Sequence, residues 1–199
     1  MSVCSGIRRN FPWGEPGEAL PGGEVHICAG RYGHRSMEGK EKMTTLEVLD
    51  KNNQREALGI DREDVSLDFV DSVEDILEQN RYGEEHGYKG HTYLVRSDGR
   101  CVGIILMGEG IPWEVDPPQI AGRPFYRIMG FIIDRAYRRR GIGSQVLEEV
   151  IRRIFREFGP RPIVIGCHMD NISALEMYQR HGFVNTYFMD EDDYFLIRE

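Results

Sequence analysis

Arg138, Gly141, Gly143 and Ser144 mark the stretch of this sequence best suited to chemistry. They belong to Ile133-Asp134-Arg135-Ala136-Tyr137-Arg138-Arg139-Arg140-Gly141-Ile142-Gly143-Ser144, a basic turn with two glycines that runs straight into an amphipathic helix. The first backbone N–H groups of a helix have no partner inside it, and the helix dipole adds about half a positive charge there. Gly141 and Gly143 let a ligand reach the main chain with no side chain in between. A turn of this kind suits a phosphate or pyrophosphate, held by the amides from Arg139 and Arg140 through Ile142 to Ser144. Two common phosphate loops are excluded. No Lys-Ser or Lys-Thr follows the second glycine, and Val146 stands where G-x-G-x-x-G needs its third. The competing reading is a basic turn that needs glycine only for its geometry.

A second group of reactive side chains falls between residues 108 and 122. This loop carries Glu109, Glu114 and Asp116, three prolines and Trp113. Loops of this length inside a compact domain are usually functional or mobile.

The elements that must hold these groups follow from periodicity and punctuation. Strands are expected at 44–49, 92–96, 101–107, 125–133 and 163–167, and over a closing hairpin at 184–189 and 194–197. Short helices are expected at 52–58 and, behind the capping pattern Ser72-Val73-Glu74-Asp75, at about 73–81. Val146, Leu147, Val150, Ile151, Ile154, Phe155 and Phe158 give the helix after the glycine turn one buried face. A last helix spans 171–181 and stops at Gly182. Residues 1–42 hold 8 glycines and 3 prolines with little periodicity, so they read as an N-terminal extension to a domain at 43–199.

Bulk properties narrow the function classes. The chain has 199 residues, 40% of them hydrophobic, enough for one domain with a full core. No apolar run approaches the roughly 18 residues of a membrane span, and no signal-peptide core is visible, so a cytoplasmic location is expected. The four cysteines are scattered without a C-x-x-C pair, which argues against a zinc site or a disulfide framework. A net charge of −8 disfavours nucleic acid as a partner. Arg135, Arg138, Arg139 and Arg140 nevertheless make a positive island at the glycine turn.

Two motifs together resemble a known family. Arg138-x-x-Gly141-x-Gly143 after a strand is similar to the coenzyme A pyrophosphate loop of the GNAT N-acetyltransferase superfamily. About 30 residues later, Asn171-Ile172-Ser173-Ala174-Leu175-Glu176-Met177-Tyr178 followed by Gly182-Phe183 resembles its N-x-x-A-x-x-x-Y helix and G-F turn. The order of elements over about 44–198 is also that of the family. The resemblance implies an α/β (α+β) fold. Its mixed, mostly antiparallel sheet has six to seven strands, splayed between the fourth and fifth, and about four flanking helices.

It further implies acetyl-CoA as co-substrate and no metal. A bulge in the fourth strand near Phe131, Ile132 and Ile133 would free backbone groups for the pantetheine arm, and the Ile133 N–H would meet the developing oxyanion. Asn171 and Ala174 would touch the coenzyme, although Asn171 suits helix capping as well. Tyr178 matches the family's general acid; spacing alone reads it as packing beside Ala174 and Leu175.

Many relatives carry a carboxylate base on the fourth strand, but here the strand reads Tyr126-Arg127-Ile128-Met129-Gly130. Glu109, Glu114 or a water relay are the candidates instead. The acidic side chains Glu74, Asp75, Glu78, Glu109, Glu114, Asp116 and 190–193 favour a small cationic amine as acceptor. The layout is similar to the family's spermine/spermidine acetyltransferases. Acetylation of a protein lysine or N-terminus, and acyl-CoA binding without turnover, are the alternatives. Neither nucleic acid nor membrane is an expected partner, and the resemblance leaves a homodimer open.

Overall fold

The computed structural model describes residues 44–199, so the extension expected over 1–42 lies outside the described residues. The sheet has seven strands, β1 (Thr44–Val48), β2 (Gly90–Ser97), β3 (Arg100–Glu109), β4 (Tyr126–Ile133), β5 (Ile163–His168), β6 (Val184–Asp190) and β7 (Asp193–Arg198). They lie in the order β1-β2-β3-β4-β5-β7-β6. Every neighbouring pair is antiparallel except β4 and β5. Four helices flank the sheet: α1 (Gln54–Ala57), α2 (Val73–Glu85), α3 (Ile142–Phe158) and α4 (Ile172–Arg180). Among the described residues no helix is long and apolar enough to cross a membrane.

Local chemistry sets the ends of these helices. The Ser72 side chain accepts from the Asp75 amide, and the Asp75 carboxylate accepts from the Ser72 amide, which closes the expected capping box on α2. The helix then runs one turn beyond the expected stop near Arg81. Tyr82 and His86 stack there with ring centres 3.7 Å apart, and this packing carries the helix through Gly83. The apolar stripe of α3 buries Ile142, Val146, Leu147, Val150, Ile151 and Ile154. Each such side chain contributes about 1.5–3 kcal/mol of transfer free energy.

Alternation along the strands divides the core. On one face Tyr93, Ile105, Met107, Tyr126, Ile128, Ile165 and Cys167 pack against α3 and α4. On the other, Leu94, Ile104, Leu106 and Ile132 pack against α1 and α2, while Val164, Phe195 and Ile197 meet Ile120, Phe125 and Trp113.

The departure from a regular sheet is at β4. It pairs with β5 only from Tyr126↔Ile163 to Ile128↔Ile165, and beyond that the two parallel strands separate. The pairing with β3 jumps from Leu106↔Gly130 to Met107↔Ile128, so the extra residue of the bulge is Met129. The expected bulge near Phe131–Ile133 therefore lies further upstream. Gly130 explains the position: a Cβ there would sit 2.5 Å from Ile76 Cδ1, so only glycine lets α2 close over the bulge.

Candidate active site

The glycine turn is built as a hollow. Gly141 caps α3 in a left-handed conformation (φ 77°), with no side chain satisfying the first turn of the helix. The positive φ favours glycine, while the space around the Gly141 Cα is open. The N–H groups of Ile142, Gly143 and Ser144 are the first-turn donors of this 17-residue helix, and the side chain of Ile142 is buried in the core.

Arg138 has a different role from its neighbours. Its Nε donates to the Ile133 carbonyl at 2.7 Å and its Nη1 pairs with Asp64 at 2.8 Å. This side chain fixes the end of β4, whereas Arg139 and Arg140 stay exposed beside the hollow. Asp134 supports the same turn, accepting from the Ala136 amide at 2.9 Å and the Asp61 amide at 3.0 Å.

Pairing alternation decides which backbone groups face the splay. The Asp134 amide donates to Val102 on β3 at 2.9 Å, so Asp134 and Ile132 turn toward β3. Phe131 and Ile133 therefore turn their amides toward the side that β5 has left. Of the three residues expected to meet the pantetheine arm, Ile132 is placed otherwise, with its side chain buried under α1 and α2.

The second motif is carried by α4. The Asn171 side chain caps this helix, accepting from the Ala174 amide. Gly143 faces this helix directly: a Cβ on it would be 3.4 Å from Met177 Sδ and 3.9 Å from Phe131 Cζ. Tyr178 follows Met177 and is buried at 6% exposure, its ring edge-on to Phe183 at 5.6 Å. Burial, and secondarily the nearby Cys167, push the phenol pKa well above its usual value, so the hydroxyl stays protonated. The hollow, the splay and a neutral phenol are thus brought together on the α3–α4 face.

The two carboxylates expected as bases lie at the end of β3 and in the loop after it. Glu114 stands exposed in the loop. Glu109 is held by Arg161 at 2.7 Å, at the end of β3 away from the open part of the splay. Much of the expected acidic rim is likewise already committed. Asp116 pairs with Arg127 at 2.6 Å, Glu78 with Arg81 at 3.2 Å, and Asp75 is spent in its cap.

A further, half-buried carboxylate is Asp193 on β7, legible in the sequence only as one of four acids in a hairpin. It lies opposite His168 at the end of β5, on the face that carries Val164, Phe195 and Ile197. Burial foremost pushes its pKa up to about 6; His168 opposes the shift, and Asp190, Asp192 and Asp71 add to it.

Known proteins share this arrangement of strands and helices. Residues 60–183 match the model of the acetyltransferase (GNAT) family. The chain belongs to the GNAT acetyltransferase family. The GNAT domain is 26% identical over 140 residues to the spermine/spermidine N(1)-acetyltransferase of Bacillus subtilis (strain 168), which covers 69% of this chain and 86% of that one. A putative GNAT-family acetyltransferase from Bordetella pertussis superposes with a TM-score of 0.59 at 16% identity, over 83% of this chain and 100% of that one. The ribosomal-protein-S18-alanine N-acetyltransferase of Escherichia coli superposes with a TM-score of 0.54 at 17% identity, over 78% and 91%. These two structures establish the fold and no more. Membership makes the protein an N-acetyltransferase.

Proposed function

We propose that the protein transfers the acetyl group of acetyl-CoA to the primary amine of a small cationic molecule, by direct attack of the amine on the thioester. The observation that carries this reading is the contact between the uncapped start of α3 and Met177, next to Tyr178 on α4. It supports a pyrophosphate site and a proton donor on the same face of the sheet. The pyrophosphate is held by the amides of α3, and the pantetheine arm lies along Phe131 and Ile133. The amine nitrogen attacks the thioester carbon, whose oxygen takes up charge at the Ile133 N–H, an arrangement that usually supplies a large share of the rate. The carbon–sulfur bond then breaks, and the departing thiolate takes its proton from Tyr178.

The amine must arrive neutral, which for a pKa of about 10.4 costs about 4–5 kcal/mol at pH 7. Asp193 lies on the sheet face opposite Tyr178, and in this reading it takes the proton from the amine while Tyr178 supplies the one on sulfur. Asp193→Asn is expected to lower turnover at pH 7 and to remove the fall in activity as pH drops through about 6. The same change raises the melting temperature at pH 7, because the folded state disfavours the ionised carboxylate. Its pKa is raised from 3.8 to about 6 on folding, so the gain shrinks as pH falls from 6 toward 4. Unchanged pH–rate and melting profiles would remove Asp193 from the mechanism.

The test of the whole reading is thiol release from acetyl-CoA against a panel of small amines and lysine peptides, with Gly141→Asp as the comparison. That variant places a carboxylate in the open hollow and is expected to weaken coenzyme binding about tenfold or more by calorimetry, since about 1.4 kcal/mol corresponds to tenfold. Equal affinity would refute the loop assignment. Acetylation of peptides alone would shift the acceptor to protein amines.

A further inference from the structure

A cavity of about 350 Å³ opens between α2, the start of β2, the end of β3 and the β4 bulge. Gln79, Thr92 and Arg127 line it and are 8%, 1% and 2% exposed. Among the described residues, Gln79 Oε1, Thr92 Oγ1, and Arg127 Nε and Nη1 are buried with no hydrogen-bond partner. An unpaired buried polar atom costs about 1–3 kcal/mol, so three such residues around one cavity indicate polar groups awaiting a ligand. Their chemistry is complementary. Gln79 offers an acceptor, Thr92 a donor and acceptor, and Arg127 two donors.

We propose that this cavity holds the body of the acceptor, and that the acceptor is a compact monoamine with an apolar or aromatic body bearing one uncharged oxygen, rather than an extended polycation. The proposal rests on the acetyl-transfer reading above. The oxygen is uncharged because the Arg127 charge is already balanced by Asp116 at 2.6 Å. The body is apolar because Leu49, Leu106, Met129 and Trp113 form the walls.

A second ammonium finds no lone carboxylate inside. The two acids of the lining are Glu109, held by Arg161 at 2.7 Å, and Glu84, exposed at the mouth and bonded to Asn80 at 2.9 Å. The volume lies at the small end of ligand pockets, about 300–1,000 Å³. The cavity also adjoins the chemistry. Met129 is the bulge residue where β4 leaves β5, and Gln79 donates to Asp71 at 2.9 Å, one of the carboxylates facing Asp193.

The experiment compares tyramine, phenethylamine and spermidine as acceptors for the full chain with acetyl-CoA, alongside calorimetric binding of each amine in the presence of CoA. Tyramine is expected to exceed spermidine at least tenfold in kcat/KM and to exceed phenethylamine severalfold. Thr92→Val, which removes one unpaired hydroxyl at nearly constant shape, brings the tyramine and phenethylamine KM values together. Met129→Glu, which supplies a lone carboxylate, moves the preference toward spermidine. Spermidine preferred by the wild type, or a tyramine advantage untouched by Thr92→Val, overturns the proposal while leaving acetyl transfer intact. If no amine is acetylated yet tyramine binds and Thr92→Val weakens it, the cavity assignment stands and the transfer reading falls. Absence of both turnover and tyramine binding overturns the cavity assignment.

Discussion

Tyr178→Phe is expected to lower turnover about 100-fold while leaving coenzyme affinity within about twofold. General acid catalysis typically contributes at least this factor, and the phenol is the proton donor on the sulfur side of the splay. The substitution keeps the ring that packs edge-on against Phe183, so folding is preserved and the loss is confined to the hydroxyl. Burial holds the phenol pKa above its usual value, so the donor stays protonated across the working range. The wild type should accordingly show no alkaline fall in rate near pH 10 arising from this group. Stopped-flow turnover with saturating acetyl-CoA, beside calorimetric CoA binding, separates the two effects. A turnover change under threefold would leave Tyr178 as a packing residue.

The turn and helices that carry Arg138, Gly141, Gly143 and Tyr178 were legible in the sequence because local rules govern them. A helix start, a positive-φ glycine and a tyrosine seven residues after a capping asparagine are all set within a few positions. The order of elements along the chain came from periodicity and punctuation, and the split between β4 and β5 was implied by the family resemblance. What could not be read is what long-range packing decides. The bulge lies at Met129 because the Ile76 side chain on α2 needs the space beside Gly130, a contact 54 residues apart in the chain. Asp193 differs from Asp190 and Asp192 through its place opposite His168 and its burial, while its charge is identical. The acids of the presumed rim look alike in sequence, yet Asp116, Glu109 and Glu78 each meet an arginine once folded. Counting carboxylates therefore does not tell which of them keep a free charge for a substrate.

The two faces of the splay divide the work. The hollow and Tyr178 lie with α3 and α4, where burial keeps a proton donor neutral. Asp193 and the cavity lined by Gln79, Thr92 and Arg127 lie on the opposite face, so in the proposed reaction coenzyme and amine approach from different sides. This separation lets the acceptor wall vary without disturbing the coenzyme site.

Asp116→Ala tests how that wall is held, and it is expected to cost about 3–5 kcal/mol of stability. Arg127 lies inside the protein with its side chain 3% exposed, and burial alone lowers its pKa; the carboxylate of Asp116, itself 9% exposed, is the compensating charge. Asp116 also accepts from the Trp113 amide at 2.8 Å, which folds the loop so that the indole lies over the guanidinium at 3.6 Å. Removing the carboxylate strands a buried cation and releases Trp113 from the cavity wall together. For a domain of this size the melting temperature should fall by about 6–20 °C. Replacing both partners with apolar residues, as in Asp116→Leu with Arg127→Met, should recover most of the stability, because the penalty comes from the unpaired charge rather than from a lost attraction. The double variant should still bind CoA but lose acceptor affinity, since the α3 hollow is untouched while the Arg127 donors are gone. A single variant that melts within 2 °C of the wild type would show that Arg127 is already compensated by another group.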